Sequence, residues 1–388
     1  MMRFPKPGEV FAQKYIIDKM IASGGFSRIY AANQRDLDRL VALKILEPPL
    51  QPGSDEDKRR RLDRVTARFE REARMLSKLR SPSTITIYEY GRTEEGLLFM
   101  AMEFVDGRSL DAIIPEQGPM SSPRVIHILR QILTSLYEAH LQRMLHRDLK
   151  PANIMLFEHL GEADQVKLLD FGIVKLVGQE SKDKKDITDD DVLVGTPRYM
   201  APEYIRGEQF GPACDLYAVG LIAYELLTGR QAIEAEHNVQ ILAKQLDVQS
   251  FYLPEELDVP VALRAVVNRL VEKEPAKRYQ SAEEVLHDIR LLERQSISAS
   301  FSAVDAQALR RLSGAMQAIE PEQVPEPAIT PPGILPPVAE PSPTPATSAP
   351  ADAAPGESSV GRGNAAMIVA LVVLALVVVI VVIALGSG

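Results

Sequence analysis

His146-Arg147-Asp148-Leu149-Lys150-Pro151-Ala152-Asn153 sets a carboxylate, an ammonium and a side-chain amide within six positions. Asp148 can accept a proton from a hydroxyl, Lys150 can hold a transferring phosphate, and Asn153 offers a hard oxygen to Mg2+. Further on, Asp170-Phe171-Gly172 follows the mostly apolar stretch Val166–Leu169. Its carboxylate suits a main metal ligand, and Gly172 gives the backbone freedom beside it.

Upstream stand three weaker signals in a fixed order. Ala22-Ser23-Gly24-Gly25-Phe26-Ser27-Arg28-Ile29 lies between two β-rich runs. Glycines there let backbone N–H groups approach phosphate oxygens, although Gly-Gly also suits a plain hairpin turn. Val41-Ala42-Leu43-Lys44 ends an apolar strand on a lysine, which can fix phosphates by charge or stand as a solvated strand end. Glu72 falls in a helical run with Phe69, Ala73 and Leu76, on or beside the apolar face. A carboxylate turned inward there needs a cationic partner, and Lys44 is a candidate.

Outward from these motifs, β-rich stretches at Ile21–Ala32 and Leu40–Leu46 flank a polar turn, Asn33–Asp38. Val125–His140 carries Ile128, Leu129, Ile132, Leu133 and Leu136 at helical spacing, and Leu216–Leu227 does the same. Strands dominate before residue 100 and helices after residue 120. The pattern predicts an α+β chain with a small sheet-rich unit followed by a larger helical one.

The ordered set resembles the eukaryotic-type (Hanks-type) protein kinases, and within them the bacterial membrane-anchored Ser/Thr members. The resemblance covers about residues 15–294 and implies a bilobal kinase fold, with a β-rich N-lobe and a helical C-lobe. Gly195-Thr196-Pro197-Arg198-Tyr199-Met200-Ala201-Pro202-Glu203 is similar to the end of an activation segment. Asp215 with Gly220 resembles the start of the central C-lobe helix, and Arg278 matches the arginine that pairs with Glu203.

The resemblance also implies roles. Lys44 would contact the α- and β-phosphates of ATP, held in place by Glu72. Asp148 would be the catalytic base, Lys150 its companion at the phosphate, and Asn153 with Asp170 would hold Mg2+, or Mn2+ in its place. Ala22, Gly24, Gly25 and Ser27 would cover the phosphates. Met102 resembles a gatekeeper before a hinge at Glu103-Phe104-Val105, and Ile29, Ala42 and Met155 would sandwich the adenine. Lys150 and the Gly-Thr-Pro-x-Tyr pattern match the Ser/Thr class, so the implied partners are protein Ser and Thr hydroxyls.

Three departures from the family pattern bear on activity. The glycine-rich loop keeps only its middle glycine, with Ala22 and Ser27 at the flanking positions, so a stiffer loop and weaker nucleotide handling are expected. A membrane-tethered pseudokinase scaffold is therefore the alternative to an active enzyme. Lys44 and Glu72 are 28 positions apart, an unusually long interval that holds the charged run Asp55–Arg61. That run reads either as a solvated loop or, through Lys58–Arg61, as a contact for anionic lipid. Thr188 stands where bacterial relatives carry an autophosphorylated threonine, with Arg147 as the phosphate's expected partner. The run Asp189–Asp191 would supply part of that charge without phosphate, and Thr196 reads as a cleft residue or a second phosphosite.

The chain has 388 residues, 46% hydrophobic and 25% charged, with a formal net charge of −9. That balance excludes a wholly disordered chain and argues against nucleic acid as a partner. A single cysteine, Cys214, excludes an intrachain disulfide and reads as a packed small residue. Residues 1–14 form a leader without the apolar core of a secretory signal. Residues 295–320 form a juxtamembrane segment with helical spacing at Leu309, Leu312 and Met316. Residues 321–364 are proline-rich and read as an extended linker. Residues 365–385 are an unbroken apolar run in which 15 of 21 are Val, Leu or Ile, and 386–388 a short tail. At about 1.5 Å per residue the run spans about 31 Å, enough to cross a bilayer core. The expectation is a cell-membrane protein with a single span and a cytoplasmic kinase domain, with homodimerisation in the membrane as one input.

Overall fold

Short apolar alternations separated by tight turns fold the first hundred residues into a sheet. The computed structural model describes residues 3–24, 27–47, 55–171 and 197–294, all within one unit, Met1–Glu320. Strands β1 (Val10–Phe11), β2 (Tyr15–Ser23), β3 (Ser27–Gln34), β4 (Arg39–Leu46), β5 (Ile87–Arg92) and β6 (Leu98–Glu103) form a six-stranded antiparallel sheet in the order β1-β2-β3-β4-β6-β5.

The register decides which residues share a face. Ile29 lies opposite Lys44, Ala31 opposite Ala42, and Ala42 opposite Met102. Directly opposed residues point to the same side of a sheet, so Ile29, Ala42, Lys44 and Met102 line one face. The other face buries Tyr15, Ile17, Tyr30, Val41, Leu43, Ile45 and Phe99 in a separate apolar cluster.

Helix α1 (Asp55–Leu76) is amphipathic and sets Val65, Phe69, Ala73 and Leu76 against Leu46, Leu98 and Met100 of the sheet. Phe69 is 1% exposed, so truncating it to alanine costs about 3–5 kcal/mol.

The rest of the chain is mainly helical. Strand β7 (Gly107–Ser109) leads into α2 (Leu110–Gln117) and α3 (Ser122–Leu141), and β7 pairs with the hairpin β8 (Ile154–His159) and β9 (Glu162–Leu168). Pro123 suits the first turn of α3, where the missing N–H has no partner to lose. Then follow α4 (Pro202–Ile205), α5 (Pro212–Thr228), α6 (Asn238–Leu246), α7 (Val261–Leu270) and a last helix at 282–294. Helix α5 is buried on nearly all sides and ends on Gly229 at φ 68°, the left-handed cap that glycine adopts most readily. Gly220 lets α7 come close. A Cβ at that position would stand 2.7 Å from the Leu270 Cβ. The bilobal, β-then-α arrangement expected from the sequence is present.

Polar side chains fasten the second hairpin to α3. Gln131 donates to the Asp164 carbonyl (2.9 Å) and accepts from the Val166 N–H (2.9 Å). The Thr84 and Ser135 hydroxyls meet at 2.6 Å, and the Leu168 N–H donates to the Ser83 carbonyl. The end of β9, just before Asp170, is thereby held from two sides. Among the described residues no helix is long and apolar enough to cross a membrane. The segments 295–320, 321–364 and 365–385 lie outside the described residues.

Candidate active site

The loop between α3 and β8 folds back on itself. Arg147 takes φ 61°, the Asp148 N–H donates to the His146 carbonyl (2.8 Å), and residues 151–153 form a single 3-10 turn. Positive φ in a bulky residue is costly and persists only where surroundings over-determine it. Here Asp215 supplies the constraint: its carboxylate accepts the backbone N–H groups of His146 and Arg147, both at 2.9 Å. His140 Nε2 meets the same carboxylate at 2.9 Å. Burial opposes ionisation of Asp215, but the hydrogen bond to His140, together with the His146 backbone N–H, outweighs it and holds the carboxyl below its ordinary range. His146 is fully buried, and desolvation pushes its imidazole down, so it is neutral. The neutral ring donates its Nε2–H to the Leu169 carbonyl (2.9 Å) and packs on Phe171.

On this rigid loop the predicted catalytic groups converge. The Asp148 carboxylate lies 2.9 Å from Lys150 Nζ and accepts from the Asn153 amide N–H at 3.1 Å. Asn153 also donates to the Asp148 carbonyl (2.7 Å). With its NH2 group turned inward, the amide oxygen of Asn153 is the atom left for a ligand. Its carbonyl accepts the Leu169 N–H (2.8 Å), which links the loop to Asp170.

Lys44 enters from the sheet. It is 5% exposed, and its ammonium bonds Asp170 Oδ1 at 2.6 Å. Here the structure differs from the sequence expectation, which paired Lys44 with Glu72. No ion pair joins Lys44 and Glu72, and Glu72 sits half-buried on α1. A buried ammonium needs one carboxylate, and Asp170 meets that need.

The hinge follows β6. The Glu103 N–H donates to the Thr86 carbonyl (2.9 Å), and its side chain accepts from the Thr86 N–H and from Lys167 Nζ, each at 2.7 Å. Lys167 lies on β9, so one ion pair ties the hinge to the strand that leads to Asp170. Ile29, Ala42, Val105 and Met155 are partly buried around the cleft, and Met102 is buried.

The glycine-rich loop corrects one expectation. Ala22 belongs to β2 and Ser27 to β3, and neither they nor Gly24 has positive φ. The Gly24 N–H donates to the Ser27 carbonyl (2.8 Å), as in an ordinary hairpin. At these positions Ala and Ser carry no backbone strain. Gly25, Gly172, Thr188, Thr196 and the Asp189–Asp191 run lie outside the described residues.

Below the catalytic loop, Arg278 forks onto Glu203 through both guanidinium nitrogens, at 2.6 and 2.9 Å. Cys214 is more than packing: its thiol donates to Glu203 Oε1 (3.1 Å), and burial followed by the Glu203 charge pushes its pKa up, leaving it unreactive. The sequence reading missed Gln131, His140 and Lys167, and also the pair Tyr199–Glu225, where the phenol donates to the carboxylate at 2.6 Å. Each joins positions far apart in the chain with no local periodic signal.

The donor set suits Mg2+. That ion takes hard oxygens in octahedral geometry and is held by one or two carboxylates together with substrate phosphates. Asp170 and the Asn153 amide oxygen match such a set. No cluster of three or more acidic, His or Cys ligands occurs among the described residues.

A β-rich lobe offering a buried lysine to an Asp, above a loop of Asp, Lys and Asn, defines the protein kinase class. Residues 15–289 match the protein kinase domain family, and the chain belongs to that family, of the Hanks type. It is 37% identical over 292 residues to serine/threonine-protein kinase pkn3 of Myxococcus xanthus, covering 74% of this chain and 51% of that relative. It is 32% identical over 284 residues to serine/threonine-protein kinase PrkC of Bacillus subtilis, covering 73% and 41%. With serine/threonine-protein kinase PknL of Mycobacterium tuberculosis it shares 32% over 281 residues, covering 72% and 66%. The alignments thus take in between about two fifths and two thirds of these relatives.

Proposed function

We propose that this chain is an ATP- and Mg2+-dependent serine/threonine protein kinase, tethered to a membrane with its catalytic domain on the cytosolic side. The observation that carries the reading is the convergence of Lys44, Asp148, Lys150, Asn153 and Asp170 on one cleft. Three serine/threonine-protein kinases among its relatives support the choice of acceptor.

Asp148 orients the acceptor hydroxyl and takes its proton as the hydroxyl oxygen bonds to the γ-phosphorus and the bond to the ADP oxygen breaks. Lys150, 2.9 Å from Asp148, neutralises charge on the transferred phosphoryl. Lys44 binds the α- and β-phosphates, leaving Asp170 for the metal. Asn153 and Asp170 would hold Mg2+, which when bound neutralises the phosphate oxygens. The hinge backbone at Glu103–Val105 binds adenine, with Ile29, Ala42 and Met155 against its faces.

The tether rests on sequence: an apolar run of 21 residues at 365–385, joined to the kinase domain through a proline-rich linker. ATP is cytosolic, so the catalytic domain faces that side. Autophosphorylation at Thr188, with Arg147 receiving the phosphate, belongs to the same proposal.

The test is incubation of the full chain with γ-labelled ATP, Mg2+ and a basic acceptor protein, followed by phosphoamino-acid analysis. Phosphoserine and phosphothreonine are expected. Label confined to phosphotyrosine, or no label above a protein-free blank, would refute the proposal.

A further inference from the structure

Helix α6 buries two of its residues, Ile241 and Gln245, four positions apart and therefore on one face. An amphipathic helix calls for an aliphatic side chain at both places. Gln245 is instead 0% exposed, and a buried amide is costly unless both of its ends are bonded. Both are. Its Oε1 accepts the Tyr217 phenol at 2.5 Å, and its Nε2 donates to the Arg198 carbonyl at 2.6 Å. The Pro197 carbonyl stands at the limit of bonding to the same nitrogen, 3.5 Å away. A carbonyl can only accept, so the amide cannot be turned around.

The two ends of the amide reach different kinds of structure. Tyr217 belongs to the buried helix α5, and its ring centre lies 4.7 Å from the Arg278 guanidinium and 6.0 Å from Lys273 Nζ. Lys273 in turn bonds the carbonyls of Lys244 (3.0 Å) and Gln245 (2.9 Å) at the end of α6. One end of the amide is thus anchored in rigid scaffold. The other end holds the 3-10 turn Pro197–Tyr199 by its backbone. Tyr199, Met200 and Ala201 line a small cavity together with Arg147, Asp148 and Lys150, so the turn abuts the catalytic loop.

We propose that Gln245 is a positioning residue for the protein acceptor: its amide fixes the Pro197–Tyr199 turn against the catalytic loop, and the turn guides the acceptor chain past Asp148. The proposal rests on the kinase reading above and deepens it. An acceptor hydroxyl must come within hydrogen-bond reach of the base, and a small misplacement of the reacting group is expensive. The neighbours of that hydroxyl lie only about 3.3 Å further along an extended chain, so a turn that abuts Asp148 is in their path. The nucleotide, in the proposed function, is held by Lys44, Asp170 and the hinge. Gln245 bonds none of these. Loss of its amide should therefore act on the acceptor and spare ATP.

The test compares the full chain with Tyr217→Phe and with the double variant Tyr217→Phe/Gln245→Met. The first keeps the amide on the Arg198 carbonyl, and the second removes it without leaving a phenol unpaired. Each protein is assayed for phosphoryl transfer to a basic acceptor protein and for ATP hydrolysis in the absence of acceptor. The expected result is an acceptor kcat/KM lowered about tenfold in the double variant alone, one hydrogen bond's worth, with ATP hydrolysis unchanged. Hydrolysis that falls in step with transfer would mean a merely structural role and overturn the proposal. The full loss in Tyr217→Phe would also overturn it, because the phenol and not the amide donor would then matter. If the double variant does not fold, Gln245→Glu keeps the phenol's acceptor, loses the donor and carries the same expectation. A parent chain that hydrolyses ATP but labels no protein would overturn the protein-kinase reading together with this proposal. An active parent whose double variant has the same acceptor kcat/KM would overturn this proposal alone.

Discussion

Lys44 Nζ and Asp170 Oδ1 stand 2.6 Å apart across 126 residues of sequence, and the bond joins the sheet to the segment that follows β9. In the proposed function, it holds the ammonium where a nucleotide's phosphates would meet a metal held by Asp170. Replacing Lys44 by Met should lower kcat by about 10²–10³, the range seen when one preorganised electrostatic group is removed. Circular dichroism should show the fold intact. A variant with unchanged kcat would remove Lys44 from the phosphate site.

Glu72 makes no ion pair with Lys44. Glu72→Gln should therefore leave folding stability within about 0.5 kcal/mol of the parent. If turnover requires the pair to form, the same variant should lose kcat while keeping its Tm. A large drop in Tm would instead place Glu72 in the static scaffold.

Arg278 and Glu203 are both almost completely buried, and their two-pronged bond is surrounded by protein. Removing one partner leaves a buried charge alone, so Arg278→Met should cost about 3–5 kcal/mol in urea unfolding. The double variant Glu203→Gln/Arg278→Met should cost less than the two single losses added together. Strict additivity would show that the two residues act independently.

The pH dependence of stability follows from His146, Asp215 and Glu203. His146 has its pKa lowered by burial, so below about pH 6.5 the unfolded chain binds a proton that the native chain does not. Glu203 and Asp215 are both held low in spite of burial, Glu203 chiefly by the Arg278 fork and Asp215 by His140. Their contributions are fully present above their ordinary carboxylate pKa values and are lost as pH falls through the native ones. Stability should thus decline in two stages, a shallow one from about pH 6.5 and a steeper one below about pH 4.5. Calorimetric Tm against pH measures this, and a flat Tm from pH 7 to 4 would contradict it.

Much of the site was legible because its chemistry is local. Asp148, Lys150 and Asn153 fall within six positions, and the turn that gathers them needs only Pro151 and the loop's own backbone bonds. Helix α3 was legible from Ile128, Leu129, Ile132 and Leu133, four buried residues at helical spacing. What stayed hidden was the choice among distant partners. Lys44 had two carboxylates to choose from, and the choice depends on where α1 sits against the sheet, which no local pattern encodes. Lys167 on Glu103, Gln131 on β9 and His140 on Asp215 are hidden for the same reason: each is set by packing between elements. At the glycine-rich loop the missing glycines pointed to a stiffer backbone where positive φ is wanted, whereas Ala22 and Ser27 lie in strands and do not take positive φ.

The account turns on Asp148 as the base that takes the acceptor's proton. Single-turnover phosphoryl transfer by the full chain, compared with Asp148→Asn at saturating ATP and Mg2+, tests it most directly. The asparagine is isosteric and can still accept from Lys150, so binding should hold while the rate falls by about 10²–10⁴, the usual contribution of a positioned general base. Equal rates for the two proteins would contradict the assignment.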